Sequence, residues 1–268
     1  MDRMEQEIGD YYGLGKERAR LRDDPPGLLE LLRTRDVLCR EMPPPPARVL
    51  DVGGGPGVHA EWLTAAGYTV ELIDPVPLHV EQAARIPGVT ASVGDARELA
   101  AASASQDVVL MLGPLYHLLD RADRLRAWRE ALRVVRPGGL VAAATISRFA
   151  SMYSGIRDGM LDDPRFRKVV QGALENGEHH PPPDTPWFTT AYFHHPDEPV
   201  AEARDAGLEP LGSYSLEGAA WMMSDADIRS RLDDPERREN LMWGLRQVER
   251  DPALLGISSH FLTLARRV

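Results

Sequence analysis

The chain has a single cysteine, Cys39, no long apolar run, and fewer basic than acidic side chains. Each shortage removes a class of function. One thiol cannot close an intramolecular disulfide, and next to Leu38 in an amphipathic segment Cys39 reads as a small apolar filler. No stretch reaches the about 20 apolar residues of a membrane span, and the opening Met1-Asp2-Arg3-Met4-Glu5-Gln6-Glu7 has no apolar h-region. Against 41 Asp and Glu stand 31 Lys and Arg, a net charge of −10. The electrostatic footprint of a protein that grips phosphate backbones is missing, so nucleic acid is not an expected partner. A cytoplasmic protein acting on neither membrane nor nucleic acid is the expectation. With 43% hydrophobic and 27% charged residues, the 268-residue length fits one large domain, or one with an inserted cap.

What the chain does have is Arg48-Val-Leu-Asp-Val-Gly-Gly-Gly-Pro-Gly-Val58, followed by Thr69-Val-Glu-Leu-Ile-Asp74. An apolar run ending in a glycine loop, then a helix, then a second apolar run ending in one acidic residue, is the plan of a βαβ unit that holds an adenosine. Glycines at 53, 55 and 57 allow close backbone approach, because a Cβ there would hold a ligand away. Val58 stands where a G-x-G-x-x-G loop needs its last glycine, so the dinucleotide fingerprint is not met. Asp74 can accept both ribose hydroxyls and would repel a 2′-phosphate, which argues against NADP.

Beyond the loop the pattern continues with strands at 89–93, 107–112 and 140–146, and helices over 59–66 and 121–136. Residues 1–42 pattern as helix, with Leu28, Leu29, Leu32 and Val37 on one side and an interruption at Asp23-Asp24-Pro25-Pro26-Gly27. The rhythm breaks from Phe149 to His195, a stretch rich in proline, histidine and aromatics. It returns with a helix over 197–207, a strand over 208–216, a helix over 225–250 and a last strand over 259–266. The expected fold is α/β: a doubly wound, Rossmann-like seven-strand sheet with an N-terminal helical lid and a cap inserted after strand five. The expected division is a lid at 1–46, a cofactor-binding core at 47–148, a substrate cap at 149–195 and completion of the core at 196–268.

The G-x-G-x-G loop preceded by Asp51 resembles motif I of the class I S-adenosylmethionine-dependent methyltransferases. Helix, Arg-Pro-Gly-Gly-Leu140 and a buried strand, and the terminal phrase Gly256-Ile-Ser-Ser-His-Phe-Leu-Thr-Leu-Ala265, are similar to actinobacterial-type small-molecule members. The resemblance implies S-adenosyl-L-methionine as cofactor. It implies a binding site from Asp51, Gly53, Gly54, Gly55, Gly57, Asp74 and Pro75. In it Asp95 and Ala96 meet the adenine, and Leu112, Gly113 and His117 come from the loop after strand four. Arg33 resembles the arginine on the N-terminal helix that pairs with the methionyl carboxylate in related enzymes.

Methyl transfer is an in-line displacement that needs alignment and, optionally, a base. His117 is the first candidate base, since imidazole titrates near neutrality; Tyr116 and Tyr12 are the others. Tyr11, Tyr153, Phe188, Tyr192, His194 and Trp221 are the candidate acceptor contacts, a lining suited to a planar or apolar molecule. His179, His180, His194 and His195 lack an accompanying carboxylate in ligand spacing, and no metal is expected. The expected function is methylation of a small aromatic or heteroaromatic specialised metabolite by a monomer or homodimer. The alternatives are a nicotinamide-dependent oxidoreductase and a non-catalytic S-adenosylmethionine-binding module.

Overall fold

Strand β1 (Arg48–Val52) alternates its apolar residues between two layers, and the fold is built outward from it. Leu50 and Val52 face a layer anchored by Trp128, while Val49 faces a layer containing Val37, Leu38 and Leu63. The computed structural model of the chain describes residues 17–268. Tyr11 and Tyr12 lie outside the described residues. Among the described residues no helix is long and apolar enough to cross a membrane.

The main sheet has seven strands. Parallel to β1 run β2 (Thr69–Asp74), β3 (Val89–Val93), β4 (Gln106–Met111) and β5 (Val135–Ile146). A two-stranded ladder follows, β6 (Glu178–His179) with β7 (Ala191–Tyr192). Strands β8 (Glu209–Ser215) and β9 (His260–Arg266) complete the main sheet, both paired antiparallel. The order is β3-β2-β1-β4-β5-β9-β8. The chain leaves β1 in one direction and resumes at β4 on its other side, so the carboxyl ends of β1 and β4 flank the crevice where open α/β sheets bind ligands.

Among the described residues two helices precede the sheet, α1 (Glu17–Asp23) and α2 (Pro25–Glu41). The expected interruption falls at Asp24, between the two helices, and Pro25 starts α2, where the missing N–H leaves no intrahelical bond unmade. A Cβ on Gly27 would sit 2.1 Å from the Arg20 carbonyl oxygen, so glycine is what lets the two helices cross. Val37, Leu38 and Met42 of α2 belong to the central core and Leu29 packs on Ile228, Leu232 and Leu245. This segment is a wall of the domain. Cys39 is exposed, on the helix face opposite the core, and fills nothing.

The connecting helices on the first half are α3 (Val58–Ala65), α4 (Pro77–Ala83) and α5 (Arg121–Val134). After β5 the chain forms α6 (Ala150–Arg157) and α7 (Pro164–Asn176) before the β6–β7 ladder. The stretch without rhythm therefore holds two helices. The signals were local: Asp163 accepts a hydrogen bond from the Arg165 N–H at 2.8 Å to cap α7, and Gly177 ends it at φ +85°. Helix α8 (Glu198–Asp205) leads back to β8. The helix expected over 225–250 is two, α9 (Asp225–Asp233) and α10 (Pro235–Val248), because Asp234 caps the second one and Pro235 cannot continue the first.

Candidate functional site

A cavity of about 910 Å³ opens at the carboxyl ends of β1, β2 and β4. Its floor is the glycine loop. Gly53 and Gly55 have φ of +68° and +56°, and a Cβ on Gly54 would lie 2.6 Å from Asp51 Oδ2. Side chains at these positions would strain the turn and fill the space a ligand needs. Gly57 differs, since it is not in the cavity wall. At φ +87° it starts α3, and a Cβ there would meet Ile86 Cδ1 at 2.5 Å.

Asp74 ends β2 with its carboxylate in the wall and locks the loop. The Gly55 N–H donates to Oδ2 at 2.8 Å, the Val76 N–H donates to Oδ1 at 2.9 Å, and His79 Nδ1 lies 3.1 Å from Oδ1. Asp51 is the opposite case. Its carboxylate is fully buried and neither oxygen has a hydrogen-bond partner among the described residues. Burial, with the nearby charge of Asp74, raises its carboxyl to about 7. A buried carboxylate with empty acceptors at the base of a cavity is suited to a cationic ligand group.

Pro75, Asp95, Ala96, Leu112, Gly113, Tyr116 and His117 also line this cavity. Arg97 grips Asp95 through Nε and Nη2, the shortest contact being 2.6 Å. Burial opposes ionisation of Asp95, but the hydrogen bonds from Arg97 outweigh it and hold the carboxyl below its ordinary value. His117 sits on a short turn at Leu115–His117. Its imidazole does not titrate near neutrality: burial pushes it down to about 4, with Asp74 only partly opposing.

Arg33 is not in the cavity. It is fully buried on the other side of α2, with Nε donating to the Leu216 carbonyl at 3.0 Å, Nη1 to Asp36 at 2.6 Å and Nη2 to Glu249 at 2.5 Å. This cation is spent on an internal network, so the expected pairing with a ligand carboxylate is not what the fold provides. Glu30, Thr34, His59 and His79 do line the cavity, and the sequence patterns did not mark them.

A second cavity of about 330 Å³ lies against residues of the segment 149–195 and shares Arg20 and Tyr116 with the first. Phe166, Trp187, Phe188, Phe193 and Trp221 form its apolar wall, and Ser151, His179, Ser259 and His260 are its polar points. Of the expected acceptor contacts, Phe188 and Trp221 are here. Tyr153 packs on Trp221 at 6.4 Å between ring centres and is not in the wall. Tyr192 and His194 are also excluded, for a reason of period two: Phe193 faces the cavity, and its neighbours face away. The Tyr192 ring lies 3.7 Å from the Arg124 guanidinium carbon and its hydroxyl donates to Glu198, while His194 is buried 3.6 Å from Glu202. Burial leaves the His194 imidazole below its ordinary value, despite Glu202.

Residues 49–139 match the family described as "Methyltransferase domain". A ubiquinone biosynthesis O-methyltransferase of Cereibacter sphaeroides is 30% identical over 200 residues, 68% of this chain and 69% of that protein. One from Methylocella silvestris is 39% identical over 112 residues, 40% of this chain and 43% of that protein, so the match spans less than half of that relative's length. A crystal structure of a SAM-dependent methyltransferase from Methanosarcina mazei superposes with a TM-score of 0.59 at 19% identity, covering 87% of this chain and 97% of the other.

Proposed function

Because the chain belongs to the class I S-adenosylmethionine-dependent methyltransferases, we propose that it methylates a small aromatic or heteroaromatic metabolite held in the cavity under the cap. S-adenosyl-L-methionine, the cofactor of the family, supplies an electrophilic methyl group and leaves as a neutral thioether. The residues of the large cavity fit such a group. Asp51 offers an unpartnered buried anion for its cationic end, Gly53 to Gly55 leave room for close backbone contact, and Asp74 stands where ribose hydroxyls would reach it. Asp95 and Ala96 would meet the adenine, and Leu112 and Gly113 the amino-acid end.

The observation that carries the acceptor reading is the sharing of Tyr116 and Arg20 by the two cavities. An acceptor on the aromatic side of Tyr116 and a methyl donor on its other side would be adjacent, and alignment supplies most of the acceleration in a displacement of this kind. The net charge of −10 supports a small molecule over a nucleic acid. The names of the relatives favour oxygen as the accepting atom.

Incubation with methyl-labelled cofactor and a panel of phenols, catechols and aromatic amines tests this. Label is expected on a ring hydroxyl, with Phe188→Ala raising the acceptor KM by about tenfold and changing S-adenosylhomocysteine affinity by only a few fold. Labelling of amines or macromolecules alone, or a collapse of cofactor affinity in Phe188→Ala, would contradict the assignment of the two cavities.

A further inference from the structure

His260 opens β9, beside Ser259, and lines the cavity that Phe166, Trp187, Phe188 and Phe193 wall. Its Nδ1 edge is occupied: Glu217 Oε1 lies 2.6 Å away and Glu30 Oε2 lies 3.8 Å away. Glu217 is itself held from all sides, with Oε2 accepting from Ser258 Oγ at 2.8 Å and from the His260 N–H at 3.0 Å. Ser258 Oγ in turn accepts from the N–H groups of Glu217 and Gly218. The Leu216 carbonyl, one residue before Glu217, is pinned by Arg33. With Nδ1 fixed by a rigid carboxylate, the ring nitrogen left for a ligand is Nε2.

We propose that Nε2 of His260 takes the proton from the acceptor hydroxyl, and that Glu217 fixes the tautomer and stabilises the imidazolium formed. The proposal rests on the cap cavity being the acceptor site. As the acceptor O–H bond breaks, an N–H bond forms at Nε2, and the oxygen lone pair so freed forms the bond to the methyl carbon as the carbon–sulfur bond of the cofactor breaks. The Nε2 proton passes to solvent once product has left.

Three charged groups face this imidazole: Glu217 from the segment after β8, Glu30 from α2, and Arg20 from α1, which is tied to Glu30 at 2.7 Å. Burial alone would depress its basicity, but Glu30 and Glu217 outweigh burial and Arg20, and raise it to about 9. His117 and His179, the other histidines in reach of an acceptor, are pushed to about 4 by burial. A base that weak is poorly matched to a phenolic hydroxyl near 10, whereas His260 is close to it. Turnover should therefore rise with pH toward about 9 and then level off. Glu30, Glu217 and His260 also have ligand atoms within 4.8 Å of one another, a spacing open to a metal ion. The bonds from Arg20 to Glu30 and from Ser258 to Glu217 occupy those ligands and favour the acid–base reading.

The test uses 4-nitrophenol, whose phenol and phenolate differ in colour, bound to the full chain saturated with S-adenosylhomocysteine. The bound probe should ionise at least about one pH unit below its value in solution, and return to about that value in His260→Gln, with Glu217→Gln intermediate. Unchanged S-adenosylhomocysteine affinity in both variants shows that they are folded. Turnover of a phenolic acceptor should fall by about 10²–10⁴ in His260→Gln. A probe that binds, is displaced by Phe188→Trp and ionises alike in wild type and His260→Gln overturns the role of His260 and leaves the acceptor site standing. Failure of the probe to bind overturns the acceptor site, and this role with it. Retention of one Zn²⁺ or Mn²⁺ per chain, lost in Glu30→Gln, would overturn it in favour of a metal centre.

Discussion

Replacing Asp51 with Asn is expected to stabilise the ligand-free protein at neutral pH and to remove most of its affinity for S-adenosylhomocysteine. The carboxyl is raised from 3.8 to about 7 by burial and by Asp74. A carboxyl raised on folding stabilises fully below its unfolded value, and that contribution is lost as pH rises through the folded value. The loss runs from about pH 4 to about pH 7, and three units at about 1.4 kcal/mol each put its ceiling near 4 kcal/mol. Asn carries no such penalty. A bound ammonium or sulfonium reverses the sign, because it favours the carboxylate and so releases a proton on binding. Wild-type affinity should rise from pH 6 to pH 8 and that of Asp51→Asn should stay flat and weaker by about 1.5–3 kcal/mol at the upper end. Thermal melts and calorimetry at the two pH values check both halves. A wild type whose affinity is flat with pH would show that Asp51 does not face the cationic end.

Arg33→Ala is expected to destabilise the fold by about 2–4 kcal/mol and leave cofactor affinity within a few fold. Removing the guanidinium leaves Glu249, which is 5% exposed, to Arg40 alone and unties Leu216 from α2. Breaking a buried pair from one side costs about 3–5 kcal/mol when the remaining charge is left alone, and the two bonds from Arg40 to Glu249 reduce that cost. At roughly 2–4 °C per kcal/mol for a domain this large, the melting temperature should fall by about 4–16 °C. A stable variant with tenfold weaker binding would instead return Arg33 to the ligand site.

These two residues show where the sequence was informative and where it was not. The loop at 53–57 and the aspartates at 51, 74 and 95 were legible because backbone conformation and strand-end position are local properties. Arg33 was not: an arginine within an amphipathic helix looks the same whether its partner is a ligand or Glu249, 216 residues further on. The Glu217–His260 pair hid in the same way, across 43 residues, inside a phrase legible only as a terminal strand. In the cap the density of aromatics was visible, but which of them face inward depends on the two-residue period of a strand too short to recognise. Tyr192 and His194 turn to Arg124 and Glu202, and Phe193 takes the cavity.

Titration of the 268-residue chain with S-adenosylhomocysteine in a calorimeter, with NADH as the competing ligand, tests the central claim most directly. The glycine loop, the open carboxylate of Asp51 and the wall position of Asp74 predict one S-adenosylhomocysteine per chain, tighter at pH 8 than at pH 6, and no heat from NADH. Binding of NADH in place of S-adenosylhomocysteine would contradict the account.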